Sequence, residues 1–175
     1  MNIILTGGAG YLGIHILNKL VNLKNIKIIV IDNFSNSNPS IIKKIYNKNK
    51  TKIIIEKIDI TKKKKLIEVF QKYSVEHIIH LAAKIDAKES IKKKNIYFST
   101  NLKGTKNLVE LSNKFKVKRF IFASSAAVYG NTKRNYCSEN QKKKPINPYG
   151  ETKLKAEEYI TKNLVKTNYY IARIF

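Results

Sequence analysis

A chain of 175 residues, 43% of them hydrophobic, is a single domain with room for a real core. Its one cysteine, Cys137, excludes an internal disulfide and a cysteine-built metal site; His15, His77 and His80 lack metal-ligand spacing, and no apolar stretch reaches the length of a membrane span. The formal charge of +23 comes from 32 Lys and only three Arg (Arg119, Arg134, Arg173) in a chain rich in Ile and Asn, the signature of A/T-rich codons, so it calls for no nucleic acid.

The chain opens directly on a strand, Asn2-Ile3-Ile4-Leu5, and not on a signal peptide, which fits a reducing, cytoplasmic setting. Next comes Thr6-Gly7-Gly8-Ala9-Gly10-Tyr11-Leu12-Gly13, then a helix with Leu12, Ile16, Leu17, Leu20 and Leu23 at helical spacing. A glycine turn between a buried strand and an amphipathic helix can seat a phosphate: the helix start offers unpaired N–H groups, and glycines admit a pyrophosphate close to the backbone. Read from Gly8 the spacing is G-x-G-x-x-G, and from Gly7 it is T-G-x-x-G-x-x-G. Residues 27–31 form a second buried strand ending at Asp32, 19 residues past Gly13, where a dinucleotide site wants a carboxylate for the adenosine ribose. A carboxylate there repels a 2′-phosphate, so NAD is favoured over NADP.

Residues 33–40 are rich in turn formers and read as a loop, followed by a helix and a third strand over 52–58 that runs into Asp59 and Ile60. Thr61 is placed to cap the next helix, which carries Leu66, Val69 and Phe70 on one side. The fourth strand, His77-Ile78-Ile79-His80-Leu81, runs into the small residues Ala82 and Ala83. A long helical region is expected over 97–114, with Leu102, Thr105, Leu108, Val109 and Leu111 inward, then a fifth strand over 117–123 with Ser124 and Ser125 at its end. A polar loop over 130–148, a last helix over 149–166 and a sixth strand over 169–174 complete the chain. The lysine runs at 62–65, 92–94 and 142–144 carry neither arginine nor aromatics for stacking and are solvated faces, though their field can attract an anionic substrate. Alternating strands and helices give a doubly wound parallel sheet of the Rossmann type, with ligands at the C-terminal strand ends, where Asp32, Asp59, Ser124 and Ser125 fall.

Tyr149 and Lys153 lie four apart on the last helix and share a face, with Asn147 as cap and Pro148 at the first position. The helix dipole, the Lys153 ammonium and a positive nicotinamide all favour a phenolate, which makes a tyrosine a usable base, and Ser125 can hydrogen-bond the same substrate hydroxyl. Tyr-x-x-x-Lys alone is common by chance in a lysine-rich chain. Its place after the serine strand, in a chain that opens on the glycine turn, gives it meaning.

With these motifs in order, the sequence resembles the extended short-chain dehydrogenase/reductase family, in particular its NAD-dependent sugar-nucleotide epimerase/dehydratase group. The matching segments are 6–13, 31–37, 59–60, 80–83, 100–105, 122–130 and 148–153, and within the group the likeness is to UDP-glucose 4-epimerases. The resemblance implies Tyr149 as base, Lys153 as its activator and nicotinamide-ribose ligand, and Ser125 as the substrate-orienting hydroxyl. It places Gly7, Gly10, Gly13, Tyr11 and Leu12 at the pyrophosphate, and Asp32, Asn33, Phe34, Ser35, Asn36 and Ser37 at the adenosine ribose. Asp59 and Ile60 fall to the adenine. Leu81, Ala82, Ala83, Ser124 and Thr100 or Asn101 line the rest of the groove, and Phe175 touches the cofactor. The implied reaction oxidises the 4-hydroxyl of a UDP-sugar with bound NAD and returns the hydride to the opposite face, leaving NAD as a prosthetic group.

Two positions depart from the group. Ile85, with Lys84 before it, stands where a lysine often reaches the nicotinamide, and the chain stops at Phe175, before the asparagine and substrate domain that follow there. The sequence therefore fits an epimerase working with a separately encoded C-terminal half, or a cofactor-binding fragment without turnover of its own; relatives of full length are implied to be homodimers. A 4,6-dehydratase would need an Asp-Glu pair after the catalytic hydroxyl residue, and Ala126 and Ala127 stand there.

Overall fold

The computed structural model describes residues 1–131 and 137–175; Arg134 and the middle of the expected 130–148 loop lie outside the described residues. Six strands form one sheet: β1 (Asn2–Thr6), β2 (Lys27–Asp32), β3 (Ile53–Lys57), β4 (His77–His80), β5 (Arg119–Ser125) and β6 (Asn168–Ile174). All neighbours are parallel, in the order β3-β2-β1-β4-β5-β6. The strands are buried because alternate residues enter opposite cores. Ile3, Leu5, Ile28, Val30 and Ile53 pack on one face with Leu17 and Ile42, from α1 (Tyr11–Leu20) and α2 (Pro39–Lys48). Ile4, Ile29, Ile31, Ile78 and Phe120 pack on the other with α3 (Lys63–Lys72), α6 (Gly104–Lys114) and α7 (Pro148–Asn163).

Successive connections run outward from β1 in both directions, so the strand order switches between β1 and β4. At such a switch point the two crossovers leave to opposite faces and open a crevice at the carboxyl ends of the strands. Every later feature of the site lies along that crevice. The outer edge of β6 has no partner strand among the described residues, and large apolar side chains stand exposed along it: Tyr170 is 58% exposed and Phe175 83%.

Local structure departs from expectation at four places. Asn38 caps α2 by accepting the Ser40 N–H at 2.9 Å, which draws Pro39 and Ser40 out of the expected loop and into the helix. Thr61 does not cap α3: the Asp59 carboxylate accepts the Thr61 N–H at 2.8 Å, and the helix begins after Lys62. The expected helix over 97–114 is preceded by two short ones, α4 (Ala87–Lys92) and α5 (Lys94–Tyr97), and itself opens with a π-helical segment, Phe98–Lys103. Finally, α7 ends at Asn163, because Thr167 turns its hydroxyl onto the Val117 carbonyl at 2.8 Å and leads the chain into β6.

Candidate functional site

The glycine turn closes on itself before it meets anything else. Gly7 takes φ +69, donates its N–H to the Ile31 carbonyl at 2.8 Å, and accepts the Gly10 N–H at 3.1 Å. Gly10 then stands as N-cap of α1, whose first turn is Tyr11, Leu12 and Gly13. No side chain caps this helix and its first turn holds no acid, so its leading N–H groups and its partial positive charge are left for a ligand. A Cβ at Gly10 would meet only the Gly7 carbonyl, at 3.3 Å, which leaves the approach to the turn open. The residues present therefore fit a pyrophosphate.

Asp32, at the end of β2, holds this turn in place. One carboxylate oxygen accepts the Ala9 N–H at 3.0 Å; the other accepts the Phe34 N–H at 2.8 Å and the Ser37 hydroxyl at 3.3 Å. A carboxylate has about four acceptor positions, so roughly one is left for a ribose hydroxyl. Asn33 donates to Asp59 at 3.2 Å and accepts the Ser35 N–H at 3.0 Å. Burial raises the Asp59 pKa, but the Thr61 and Asn33 hydrogen bonds and nearby Lys62 outweigh it and hold the carboxyl below its ordinary value. Ile60 is buried, and its carbonyl is taken by the Asn107 amide at 2.9 Å.

On the other side of the switch point, Leu81 and Ala82 donate their N–H groups to the Thr6 carbonyl (3.1 Å) and hydroxyl (3.2 Å), which draws residues 81–83 against the turn. Beneath them runs a buried polar chain. Thr105 donates to the Asn101 carbonyl at 2.5 Å and so must accept from His80 Nε2, 2.8 Å away; His80 Nδ1 in turn accepts from the Thr6 hydroxyl at 2.7 Å. That order fixes a neutral His80 with its proton on Nε2. Burial first, and the Lys153 charge second, push its pKa down to about 3.

Asn101, in the π segment, clamps two parts of the site together. Its side-chain carbonyl accepts the Lys84 N–H at 2.8 Å, and its amide donates to the Lys84 carbonyl at 2.9 Å and to the Thr152 hydroxyl at 3.1 Å. Thr152 donates to the Tyr149 carbonyl at 2.7 Å, so the loop after β4 and the first turn of α7 are tied through one buried amide. Thr100 beside it is half-buried. From this fixed backbone the Lys84 ammonium crosses to Asn36 at 2.7 Å, joining the loops after β4 and β2, which flank β1 in the sheet.

At the far end of the crevice, Asn147 caps α7 as expected, accepting the Gly150 N–H at 2.8 Å, with Pro148 at the first position and Tyr149 half-buried in the first turn. Ser125 accepts the Ala127 N–H at 3.1 Å, which leaves its hydroxyl proton free to donate. Lys153 is buried, its ammonium on the Ala123 carbonyl at 2.7 Å and over the Phe122 ring at 4.9 Å. Burial pulls its pKa down to about 8, against an upward pull from Glu157.

Ser124 is buried and donates its proton to Glu157 at 2.5 Å, so its lone pairs remain for any other partner. Phe175, at the tip beyond β6, is exposed. Thr6, His80, Thr105, Thr152, Glu157 and Arg173 carry contacts at the site that the sequence did not assign to them. One signal was readable: Arg173 is one of three arginines among 32 lysines, a substitution worth asking about where bidentate pairing is at stake.

A separate concavity of about 580 Å³ opens at the amino ends of the strands, lined by Met1, Asn25, Lys27, Lys52, Lys72 and Tyr73 among others. No Asp, Glu, His or Cys lines it, and it lies at the opposite end of the sheet from the residues above. Among the described residues no group of three or more His, Cys, Asp or Glu could hold a metal ion, and no helix is long and apolar enough to cross a membrane.

Comparison with known proteins follows the same geometry. A family model described as GDP-mannose 4,6 dehydratase matches residues 4–174. UDP-glucose 4-epimerase 2 of Oryza sativa subsp. japonica is 33% identical over 169 residues, which are 95% of this chain and 41% of that protein. The UDP-Glc/GlcNAc 4-epimerase of Campylobacter jejuni matches with a TM-score of 0.92 and 31% identity over 99% of this chain and 53% of its own. The UDP-glucose 4-epimerase of Bifidobacterium longum, solved in complex with NAD+ and UDP, matches with a TM-score of 0.91 and 29% identity over 99% of this chain and 52% of its own. The chain spans about half the length of the curated relatives it matches.

Proposed function

The chain belongs to the GDP-mannose 4,6 dehydratase family, and on that footing we propose that residues 1–175 are the NAD-binding domain of a UDP-sugar 4-epimerase. The observation that carries the reading is one crevice with an uncapped, acid-free helix start at Gly10–Gly13 and, along the same strand ends, the Ser125, Tyr149 and Lys153 set. Asp32 supports NAD over NADP, since its charge opposes a 2′-phosphate beside the turn.

NAD, when bound, would supply the hydride acceptor for the sugar C4 carbon. The chain's own groups handle the proton. Tyr149 accepts it from the sugar 4-hydroxyl, and the free Ser125 proton hydrogen-bonds the same oxygen and holds it in line. The buried Lys153 ammonium keeps N–H groups beyond the one on Ala123 for ribose hydroxyls. A dehydratase would further need an acid and a base beside Ser125. Ala126 and Ala127 supply neither, and the buried acid of this region, Glu157, is committed to Arg173. An epimerase needs only the one proton site.

Because the chain spans about half of its relatives, two versions of this function differ in outcome. In the first, the site turns over UDP-galactose when joined by the half of an epimerase that this chain does not span, whether continuous with it or separately encoded. In the second, the chain binds NAD and has no turnover. Mixing the purified chain with the C-terminal half of a related epimerase and following UDP-galactose conversion separates them. The first predicts conversion that falls by about 10²–10⁴-fold in Tyr149→Phe. No conversion in the mixture, with NAD binding intact, leaves the second; no NAD binding at all overturns both.

A further inference from the structure

Behind the Tyr149 and Lys153 pair lies a buried ionic cluster that the proposed chemistry does not use. Glu157, one helical turn after Lys153, is 3% exposed. One of its oxygens accepts the Ser124 hydroxyl at 2.5 Å and Arg173 Nε at 2.9 Å; the other accepts Arg173 Nη2 at 2.8 Å. Arg173, from β6, spends its remaining nitrogen on the Tyr129 hydroxyl at 2.7 Å and the Glu139 carbonyl at 3.0 Å, with its plane over the Tyr129 ring. Lys143 approaches Glu157 from the loop before α7, at 3.8 Å.

The register of these contacts matters. Lys153 docks on the Ala123 carbonyl and Glu157 on the Ser124 hydroxyl, two consecutive residues at the end of β5. Side chains four apart on a helix are neighbours, so the buried Glu157 carboxylate stands one turn along α7 from the Lys153 ammonium, without a direct ion pair between them. An ammonium this deeply buried, with one hydrogen bond, needs such a counter-charge to remain in place. We propose that Glu157, pinned by Arg173 and Ser124, is a positioning residue: it supplies the buried negative charge against which the Lys153 ammonium is seated at the end of β5. The proposal rests on the reading of Tyr149 and Lys153 given above.

The other groups near Lys153 cannot replace it. His80, from β4, is neutral; Tyr149 lies one turn earlier on α7; Arg173 and Lys143, both paired with Glu157, are cations. Arg173 and Lys153 therefore share one carboxylate and compete for its field. Removing the carboxylate and removing the competing cation should then move Lys153 in opposite directions.

The test follows the Lys153 Cε resonance against pH in the ¹³C-lysine-labelled chain without cofactor, assigned by its loss in Lys153→Met. In Glu157→Gln, which keeps the size of the side chain, the Lys153 midpoint should fall by about one pH unit or more; in Arg173→Met it should rise. An unchanged midpoint in a folded Glu157→Gln protein, or movement of both variants in the same direction, overturns the proposal. Should Glu157→Gln fail to fold, Arg173→Met decides alone, and a midpoint that stays or falls is the contradicting result. The titration needs no NAD, so failure of the parent chain to bind NAD would sink the reading of the site and leave this result standing.

Discussion

Gly13→Ala should abolish NAD binding and lower the free energy of unfolding by about 2 kcal/mol. A Cβ at that position would stand 2.2 Å from the Gly7 carbonyl oxygen, 2.6 Å from Gly8 Cα and 2.7 Å from Gly8 C. All three are backbone atoms of the turn, held by the Gly7 bond to Ile31 and the Ala9 bond to Asp32, so no flexible side chain can yield. Alanine is the better helix former by about 1 kcal/mol, which offsets only part of an overpacking cost of about 3 kcal/mol. Gly10→Ala is the internal contrast. Its Cβ meets a single atom at 3.3 Å, so the fold should change by less than about 0.5 kcal/mol while the pyrophosphate approach narrows. Denaturant unfolding and calorimetric titration of both variants check this. A Gly13→Ala protein as stable as the parent would show that the turn is looser than its hydrogen bonds imply.

The second large effect has the opposite sign on stability. Lys153→Met should make the fold more stable by about 2 kcal/mol at pH 7. Burial pulls the Lys153 ammonium pKa down to about 8 from the ordinary 10.5, so keeping it charged costs roughly 3 kcal/mol below pH 8. Methionine removes that cost and loses the bond to the Ala123 carbonyl, worth about 1 kcal/mol. The pH dependence identifies the cause. Between about 8 and 10.5 the folded chain has released the Lys153 proton while the unfolded chain still holds it, so parent stability rises with pH through that window. The variant lacks this rise, and the two curves converge toward pH 10.5 apart from the loss of the Ala123 bond. A variant less stable than the parent at pH 7 would mean that the charge is better compensated than its surroundings suggest. Stability held down at the one lysine that faces the proposed chemistry is the usual trade at a functional site.

Most of the sheet was legible because its strands are unbroken runs of Ile and Val, such as Ile28 to Ile31, which only a sheet buried on both faces requires. The glycine turn and the Asn147-Pro148 start of α7 were legible for a different reason: their residues satisfy local backbone needs that sequence alone reveals. Two short helices, α4 and α5, escaped because they lack an apolar stripe; Ile91 and Ile96 are exposed, and the segment is held by the Asp86 cap and by the Tyr97 hydroxyl on Glu89. The π segment escaped too, since it is set by Asn101 reaching Lys84 and Thr152, partners 17 and 51 residues away. The same limit applies at the site. Spacing placed Lys153 beside Tyr149, but long-range packing sends its ammonium to Ala123 and surrounds it with Glu157 and Arg173, and it turns the Ser124 hydroxyl inward. Asp32 combines both lessons: its position was readable, and its hold on Ala9, Phe34 and Ser37 was not.

NAD, on this reading, sits in the crevice at the carboxyl ends of β1, β2 and β4. Calorimetric titration of NAD into the parent chain and into the Asp32→Ala, Gly10→Val double variant should give saturable one-to-one binding in the parent and none in a folded double variant. Equal affinity in the two proteins would remove NAD from this crevice.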